Sequence, residues 1–181
     1  MKILGIDPSL RNLGMALVNY DDEEITVDKL LLSETKTCDL PKGVTKNKQD
    51  IERVKVHIDA MRPMIEECEV VAVEAPTGSK SAAAMKSYGI CIALIAMIDK
   101  PVFVVTPKQV KAASGNPEAT KADMIEWATK THNTDQWLSE NGKILNKNEH
   151  LADALGAVHA ALNTYEFKSW FSFLRPYNKI D

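Results

Sequence analysis

Two acidic side chains sit where a buried strand gives out. Lys2-Ile-Leu-Gly-Ile-Asp-Pro-Ser9 reads as a short apolar strand that ends in Asp7, and Val70-Val-Ala-Val-Glu74 repeats the pattern with Glu74. A lone carboxylate beside apolar side chains is costly unless a cation or hydrogen-bond donors compensate it, so each acid asks for a partner. Candidates lie far along the chain, where His150 and Asp153 are three residues apart and Glu149 and Asp153 four, spacings that put them side by side on a helix. Several carboxylates at close range do not all ionise unless a cation lies among them. Hard oxygen donors with one imidazole suit Mg²⁺ or Mn²⁺, whereas Cys38, Cys68 and Cys91 are scattered and form no zinc-binding set. The chemistry this donor set serves best is metal-assisted phosphoryl transfer, in which two ions about 4 Å apart activate a water and stabilise the leaving oxygen. His150 and Glu149 both remain candidates for the fourth position beside Asp7, Glu74 and Asp153.

The elements that must position these groups follow from periodicity and punctuation. Gly14–Tyr20 and Ile25–Ser33 read as second and third strands, joined by the polar turn Asp21–Glu24, so three antiparallel strands open the fold. After a basic, polar stretch from Pro41 to Lys48, Ile51, Val54, Ile58, Met61 and Ile65 recur at helical spacing. The continuous apolar run Val70–Val73 fits a central strand parallel to the first. Ser81–Ile98 reads as a helix that is apolar nearly all round and therefore needs cover on two sides, and Pro101–Val105 as the next buried strand. Thr106-Pro107 starts a short helix to Ala113, and a further helix runs to about Lys130. Residues 131–147 are predicted as a long polar loop. Asn148–Leu162 is a helix with Leu151, Leu155, Val158 and Leu162 on one face, expected to pack at the sheet edge near the first strand. Tyr165–Tyr177 holds most of the late aromatics, packed on the body or on a partner. The order predicts an α/β fold, a mixed sheet with helices on its faces.

Composition sets the outer bounds. With 181 residues, 45% hydrophobic and 26% charged, the chain is an ordinary globular domain. Its net charge of −3 argues against coating nucleic acid by bulk positive charge, though not against a local basic strip. The longest apolar stretch, Gly89–Ile98, is too short to span a bilayer, and the isolated cysteines suit a reducing compartment, so a cytoplasmic protein is expected.

Three segments in fixed order resemble a known family. Gly5-Ile-Asp-Pro-Ser-Leu-Arg-Asn-Leu-Gly14, Val73-Glu-Ala-Pro76 and His150-Leu-Ala-Asp-Ala-Leu-Gly156, with Pro101-Val-Phe, Lys108-Gln-Val-Lys111 and Ala119-Thr-Lys121 between them, look like the RuvC-type Holliday junction resolvases. The resemblance covers nearly the whole chain. It implies an RNase H-like mixed five-stranded sheet flanked by helices, a nuclease domain at 1–164 and a C-terminal tail at 165–181. It further implies that Asp7, Glu74, His150 and Asp153 bind the metal, Mg²⁺ with Mn²⁺ as a substitute, and that Lys111 and Lys121 contact phosphate near the scissile bond, Lys121 within the catalytic set. Lys80, Lys86 and Lys108 would widen that basic strip along the DNA. The family acts as a homodimer, here through Ser81–Ile98, and nicks opposed strands of four-way DNA to leave 5′-phosphate and 3′-hydroxyl ends. Bacterial members carry Phe three residues after the catalytic Glu, where this chain has Thr77 and then Gly78. That difference points to a broader taste for branched DNA, and so compact a member suits a bacteriophage. Two other readings compete: a non-catalytic binder of branched DNA on the same fold, and an ATP-binding fold of the actin and sugar-kinase kind, for which the chain lacks a second lobe and a second Gly-rich phosphate loop.

Overall fold

The computed structural model describes residues 1–21, 24–35, 43–75, 78 and 81–174. Five strands form one mixed sheet in the order β3-β2-β1-β4-β5, with β1 Lys2–Asp7, β2 Asn12–Asp21, β3 Glu24–Glu34, β4 Val70–Glu74 and β5 Val102–Val105. The first three are antiparallel neighbours, and β4 runs parallel to both β1 and β5. The antiparallel trio and the parallel pairing of β4 with β1 are those expected from the sequence. β5, expected as a buried strand, is instead the sheet edge, with Phe103 and Val105 buried and Val104 exposed because no further strand among the described residues covers it. Around the sheet lie α1 Lys46–Glu67, α2 Ala82–Ala96, α3 Pro107–Ala113, α4 Lys121–Thr131, α5 Glu149–Leu162 and α6 Tyr165–Leu174. The loop expected at 131–147 contains a small hairpin, β6 Ser139–Glu140 with β7 Lys143–Ile144, and runs into a 3-10 turn at Asn146–Asn148.

Strand alternation divides the core in two. Leu4 and Ile6 of β1, Met15 and Leu17 of β2, and Val71 and Val73 of β4 pack toward Met61 and Met64 of α1. Ile3, Ala16, Val18, Val70 and Ala72 pack on the other face, toward α5. By the same period of two, Gly5 and Asp7 of β1 and Glu74 of β4 belong to the α5 side.

α5 lies over the middle of the sheet, touching β1, β2 and β4, rather than at the sheet edge as expected. The reason is a row of small residues. Gly5 pairs with Ala16 on one side and Ala72 on the other, leaving a trough across three strands. A Cβ on Gly5 would stand 2.1 Å from the carbonyl oxygen of Ala154, so the helix backbone rests directly on the strand. α5 is also buried well beyond its leucine stripe, including Ala152, Ala154, Gly156, Ala157 and Ala161, because α3 and α4 cover its other sides. Alanine is too weakly apolar for that second burial to stand out in a hydrophobic pattern.

α2 departs from expectation in the opposite direction. Only Cys91 and Leu94 are buried, while Met85, Ile92 and Met97 are exposed, and the helix touches the body mainly through α1. α6 closes the far side, with Phe167 buried against Phe103 and both rings meeting Trp170. At the outer edge of the sheet, β3 carries a bulge at Asp28, where Val27 and Lys29 pair with successive residues of β2. The carboxamide of Gln136 covers it: Leu30 N–H donates to Oε1 at 2.9 Å, and Nε2 donates to the Asp28 carbonyl at 3.1 Å.

Candidate active site

Three elements deliver the acids to one place. Asp7 is the last residue of β1, opposite Gly14 of β2, and Glu74 is the last residue of β4. Asp153 comes from the second turn of α5, which is held close because a Cβ on Gly14 would stand 2.1 Å from the carbonyl oxygen of His150. Gly14 therefore sets the height of the helix above Asp7. Neighbouring backbone carries the cations: Thr106 and Thr120 cap α3 and α4 with reciprocal Gln109 and Asp123 bonds, and these caps fix the starts of the helices that bear Lys111 and Lys121.

The electrostatics show that the acids feel one another. Burial, then the charges of Asp7 and Asp153, push Glu74 up to about 8, with Lys111 pulling the other way. Burial and then Asp7 push Asp153 up to about 7, while His150 and Lys121 oppose the rise. Two carboxyls that resist ionisation beside a third mark a site with a deficit of positive charge.

His150 supplies part of it. Its Nδ1 lies 2.7 Å from Asp7 Oδ2, with both side chains about 17% exposed. Burial is the largest single influence on the imidazole and lowers its pKa, but the Asp7 bond and the charges of Asp7, Glu149 and Asp153 together raise it. Asn12, unassigned in the sequence reading, stands behind the ring. Its Nδ2 is 3.4 Å from His150 Nε2, and its Oδ1 is buried without a partner among the described residues. A half-turn of the carboxamide aims Oδ1 at an Nε2–H, so Asn12 and Asp7 together can hold a doubly protonated ring. Glu149 turns elsewhere: Oε2 pairs with Lys121 Nζ at 2.6 Å, and Oε1 is 3.6 Å from His150 Nε2. That bond raises the Lys121 pKa.

The remaining lysines differ. Lys111 is half-buried near Glu74, and Lys108 is exposed at the start of α3. Lys86 bridges two helices, with Nζ 2.6 Å from Asp50 Oδ2 and 2.8 Å from Asn47 Oδ1 of α1. Lys80 and Thr77 lie outside the described residues, as does Cys38. Cys68 and Cys91 are buried free thiols. No helix of the described residues is long and apolar enough to cross a membrane.

The donor set fits a divalent cation by its chemistry: Asp7, Glu74 and Asp153 are hard oxygen ligands whose mutual repulsion such an ion relieves. As the side chains stand, with Asp7 bonded to His150, no three His, Cys, Asp or Glu groups among the described residues are arranged round one metal position.

Sequence comparison against family models and against curated proteins gives no match. Solved structures do match. RuvC of Thermus thermophilus in complex with a Holliday junction substrate superposes with a TM-score of 0.63 at 20% identity, over 95% of this chain and 96% of that one. The yeast mitochondrial Holliday junction resolvase Ydc2 gives 0.58 at 10% identity over 97% and 83% of the two chains. Fowlpox virus resolvase with junction DNA gives 0.50 at 20% identity over 94% and 99%. The likeness spans the sheet and the helices around it almost end to end, and it shows that the chain has the RNase H-like fold of the RuvC-type resolvases.

Proposed function

We propose that this chain is a metal-dependent endonuclease that resolves Holliday junctions, and other branched DNA, by paired nicks on opposed strands. The observation that carries the reading is the convergence of Asp7, Glu74 and Asp153 from β1, β4 and α5, where the charges of Asp7 and Asp153 make Glu74 harder to ionise and that of Asp7 does the same to Asp153. An inactive binder gains nothing from carboxylates facing a polyanion. The fold shared with junction-bound RuvC supports the choice of substrate.

Asp7, Glu74 and Asp153 would hold Mg²⁺, or Mn²⁺ in its place, with His150 as the fourth group. Bound there, the metal supplies Lewis-acid stabilisation and water activation for phosphodiester hydrolysis. As the side chains stand, His150 Nδ1 bonds the Asp7 carboxylate and Asn12 stands behind the ring at Nε2, so the fourth-ligand role requires the neutral imidazole with one of these nitrogens released. Lys121, tied to Glu149, and Lys111, near Glu74, set positive charge beside the acids, where it offsets the charge that grows on the phosphate. Lys108 extends the strip along the strand. Cleavage leaves 5′-phosphate and 3′-hydroxyl ends. The exposed apolar residues of α2 support a homodimer through residues 81–98, which gives the second active site needed for the opposed strand. The buried free thiols suit work in the cytoplasm, and residues 1–164 would form the catalytic unit.

The test is cleavage of an immobile four-way junction labelled on each strand in turn, with Mg²⁺, Mn²⁺ or EDTA. Wild-type protein is expected to give paired, metal-dependent nicks on opposed strands. Asp7→Asn is expected to lose at least 10³-fold in rate, since one ligand of the metal site is worth several kcal/mol in the transition state. The same variant keeps its junction affinity in EDTA. Cutting by Asp7→Asn at the wild-type rate would refute the site, and binding without cutting under any metal would move the protein to the non-catalytic reading.

A further inference from the structure

On the α1 face of the sheet, the loop that leaves β1 just after Asp7 meets the first turns of α1 and α2 around a cavity of ≈ 430 Å³. Four cations line it, Arg11, Lys46, Arg53 and Lys86, against a single carboxylate, Asp50. This surplus of positive charge stands out in a chain whose net charge is −3. The carboxylate fixes cations in place without neutralising the pocket: Asp50, 13% exposed, receives Arg53 Nη1 at 3.1 Å and Lys86 Nζ at 2.6 Å. Arg53 Nε is buried and has no acceptor among the described residues, so the guanidinium keeps unused donor capacity. Arg11 and Lys46 stand exposed at the mouth, and neither side chain makes an ion pair among the described residues.

The wall is rigid. The Leu10 carbonyl accepts from His57 Nε2 at 3.1 Å and from Thr35 Oγ1 at 3.0 Å, and both of those residues are fully buried. His57 Nδ1 in turn accepts from Ser33 Oγ at 2.8 Å, which fixes the tautomer that donates to Leu10. The segment Ser9–Arg11 is thereby anchored to α1 and β3. Ser9, on the pocket wall, is two residues from Asp7, a span of about 7 Å along the backbone or about two nucleotide steps at ~3.4 Å of rise each, which puts the pocket within a few nucleotides' reach of the acids.

Resting on the function proposed above, we infer that this pocket holds a second backbone phosphate of the strand being cut, one to three nucleotides from the scissile one. Arg53 and Lys86, set by Asp50, form its floor, and Arg11 and Lys46 close over the anion. Arginine forks and a fixed ammonium are the groups that recognise phosphate, and they read no base, so the pocket positions the strand without adding sequence preference. The pocket clamps the strand so that the scissile phosphate meets Asp7.

The experiment measures junction affinity in EDTA from 50 to 200 mM salt for wild type, Arg11→Gln/Lys46→Gln and a distant control, Lys29→Gln on β3. Both mutated positions of the double variant are exposed, so its melting temperature is expected to match wild type. The double variant is expected to bind about tenfold more weakly at the lower salt, with a log K against log salt slope shallower by about 1, and Lys29→Gln to leave the slope unchanged. A second arm uses wild-type protein on junctions carrying one neutral methylphosphonate, scanned over three nucleotides on either side of the cut. One position is expected to reproduce the tenfold loss and to cost the double variant nothing more. Junction binding and cutting by wild type, with slope and affinity unchanged in the double variant or with additive losses at every scanned position, overturns the pocket alone. Failure of wild type to bind the junction overturns the pocket and the proposed function together.

Discussion

Substituting Gly14 by alanine tests how the site is assembled. The added Cβ would lie 2.1 Å from the His150 carbonyl oxygen and 2.5 Å from its carbon. An ordinary C···O contact is ~3.4 Å, so the first turn of α5 must lift by about 1.3 Å, and the obstacle is backbone that cannot rotate away. Overpacking of this kind costs about 1–3 kcal/mol, and a chain of this size loses about 2–4 °C per kcal/mol, so a fall of roughly 2–12 °C in Tm is expected. The loss of function should be larger than the loss of stability suggests. His150 and Asp153 ride on the displaced helix while Asp7 stays on β1, and a misplacement of about 1 Å costs on the order of 10²-fold in rate. Gly5→Ala meets the Ala154 carbonyl at the same 2.1 Å, whereas the nearest atom at Gly156 is a Val110 methyl at 2.7 Å, a side chain able to move. Single-turnover junction cleavage and thermal melting of the three variants should therefore rank Gly14→Ala and Gly5→Ala below Gly156→Ala in stability, with Gly14→Ala lowest in rate. A Gly14→Ala protein that melts and cuts like wild type would refute the close approach of α5 as the device that builds the site.

Further consequences concern pH, charge and assembly. Burial, then the charge of His132, holds His159 down to about 4, and the rings meet Nε2 to Nε2 at 2.9 Å beside Trp127, with Glu24 and Lys168 on the same cavity. The unfolded chain takes up the proton near pH 6.5 and the folded chain only near 4, so this stability is complete above pH 6.5 and lost as pH falls to 4. The loss is on the order of 3 kcal/mol by denaturant titration, and His159→Phe should flatten that slope; an unchanged slope would deny the pair its role. Lys121→Ala frees Glu149 and removes a charge that holds Asp153 down, so the acidic limb of the pH–rate profile should move upward and cleavage at pH 7 should fall about 10²-fold. A profile that keeps its midpoint would make Lys121 a surface residue. Ile92→Glu, on the exposed face of α2, should convert a dimer to a monomer by light scattering with a small change in Tm, and a monomeric wild type would refute the α2 interface.

The features legible in the sequence were those with a strong period or an interruption of one. Asp7 and Glu74 each break an apolar strand run at its last residue, and the structure puts both on the side of the sheet that faces α5. His57 was hidden by the same logic: it falls on the helical stripe between Val54 and Met61, where a period counts it as a gap, yet it is fully buried and ties α1 to the loop after β1. The polar first turns of α1, begun by the Thr45 cap, carry no apolar signal to mark them as helix. Two-residue strands such as β6 and β7 are too short to show any period. The aromatic spacing of Phe167, Trp170 and Phe171 was a readable helical signal in the last segment, and their packing on Phe103 and Tyr20 explains it. Tertiary cover was the least legible property, because alanine on α5 and isoleucine on α2 do not announce which of the two will be buried.

The Gln136 carboxamide on β3 bears on how the protein behaves at high concentration. An outer strand offers unpaired amides to any other chain that arrives extended, and it is a common starting point for aggregation. At the bulge of β3, Gln136 meets the Leu30 amide and the Asp28 carbonyl with one side chain, acting as a strand one residue long. Removing it with Gln136→Ala would leave catalysis untouched and reopen that stretch of backbone, so its cost would appear as turbidity on storage and not as lost turnover.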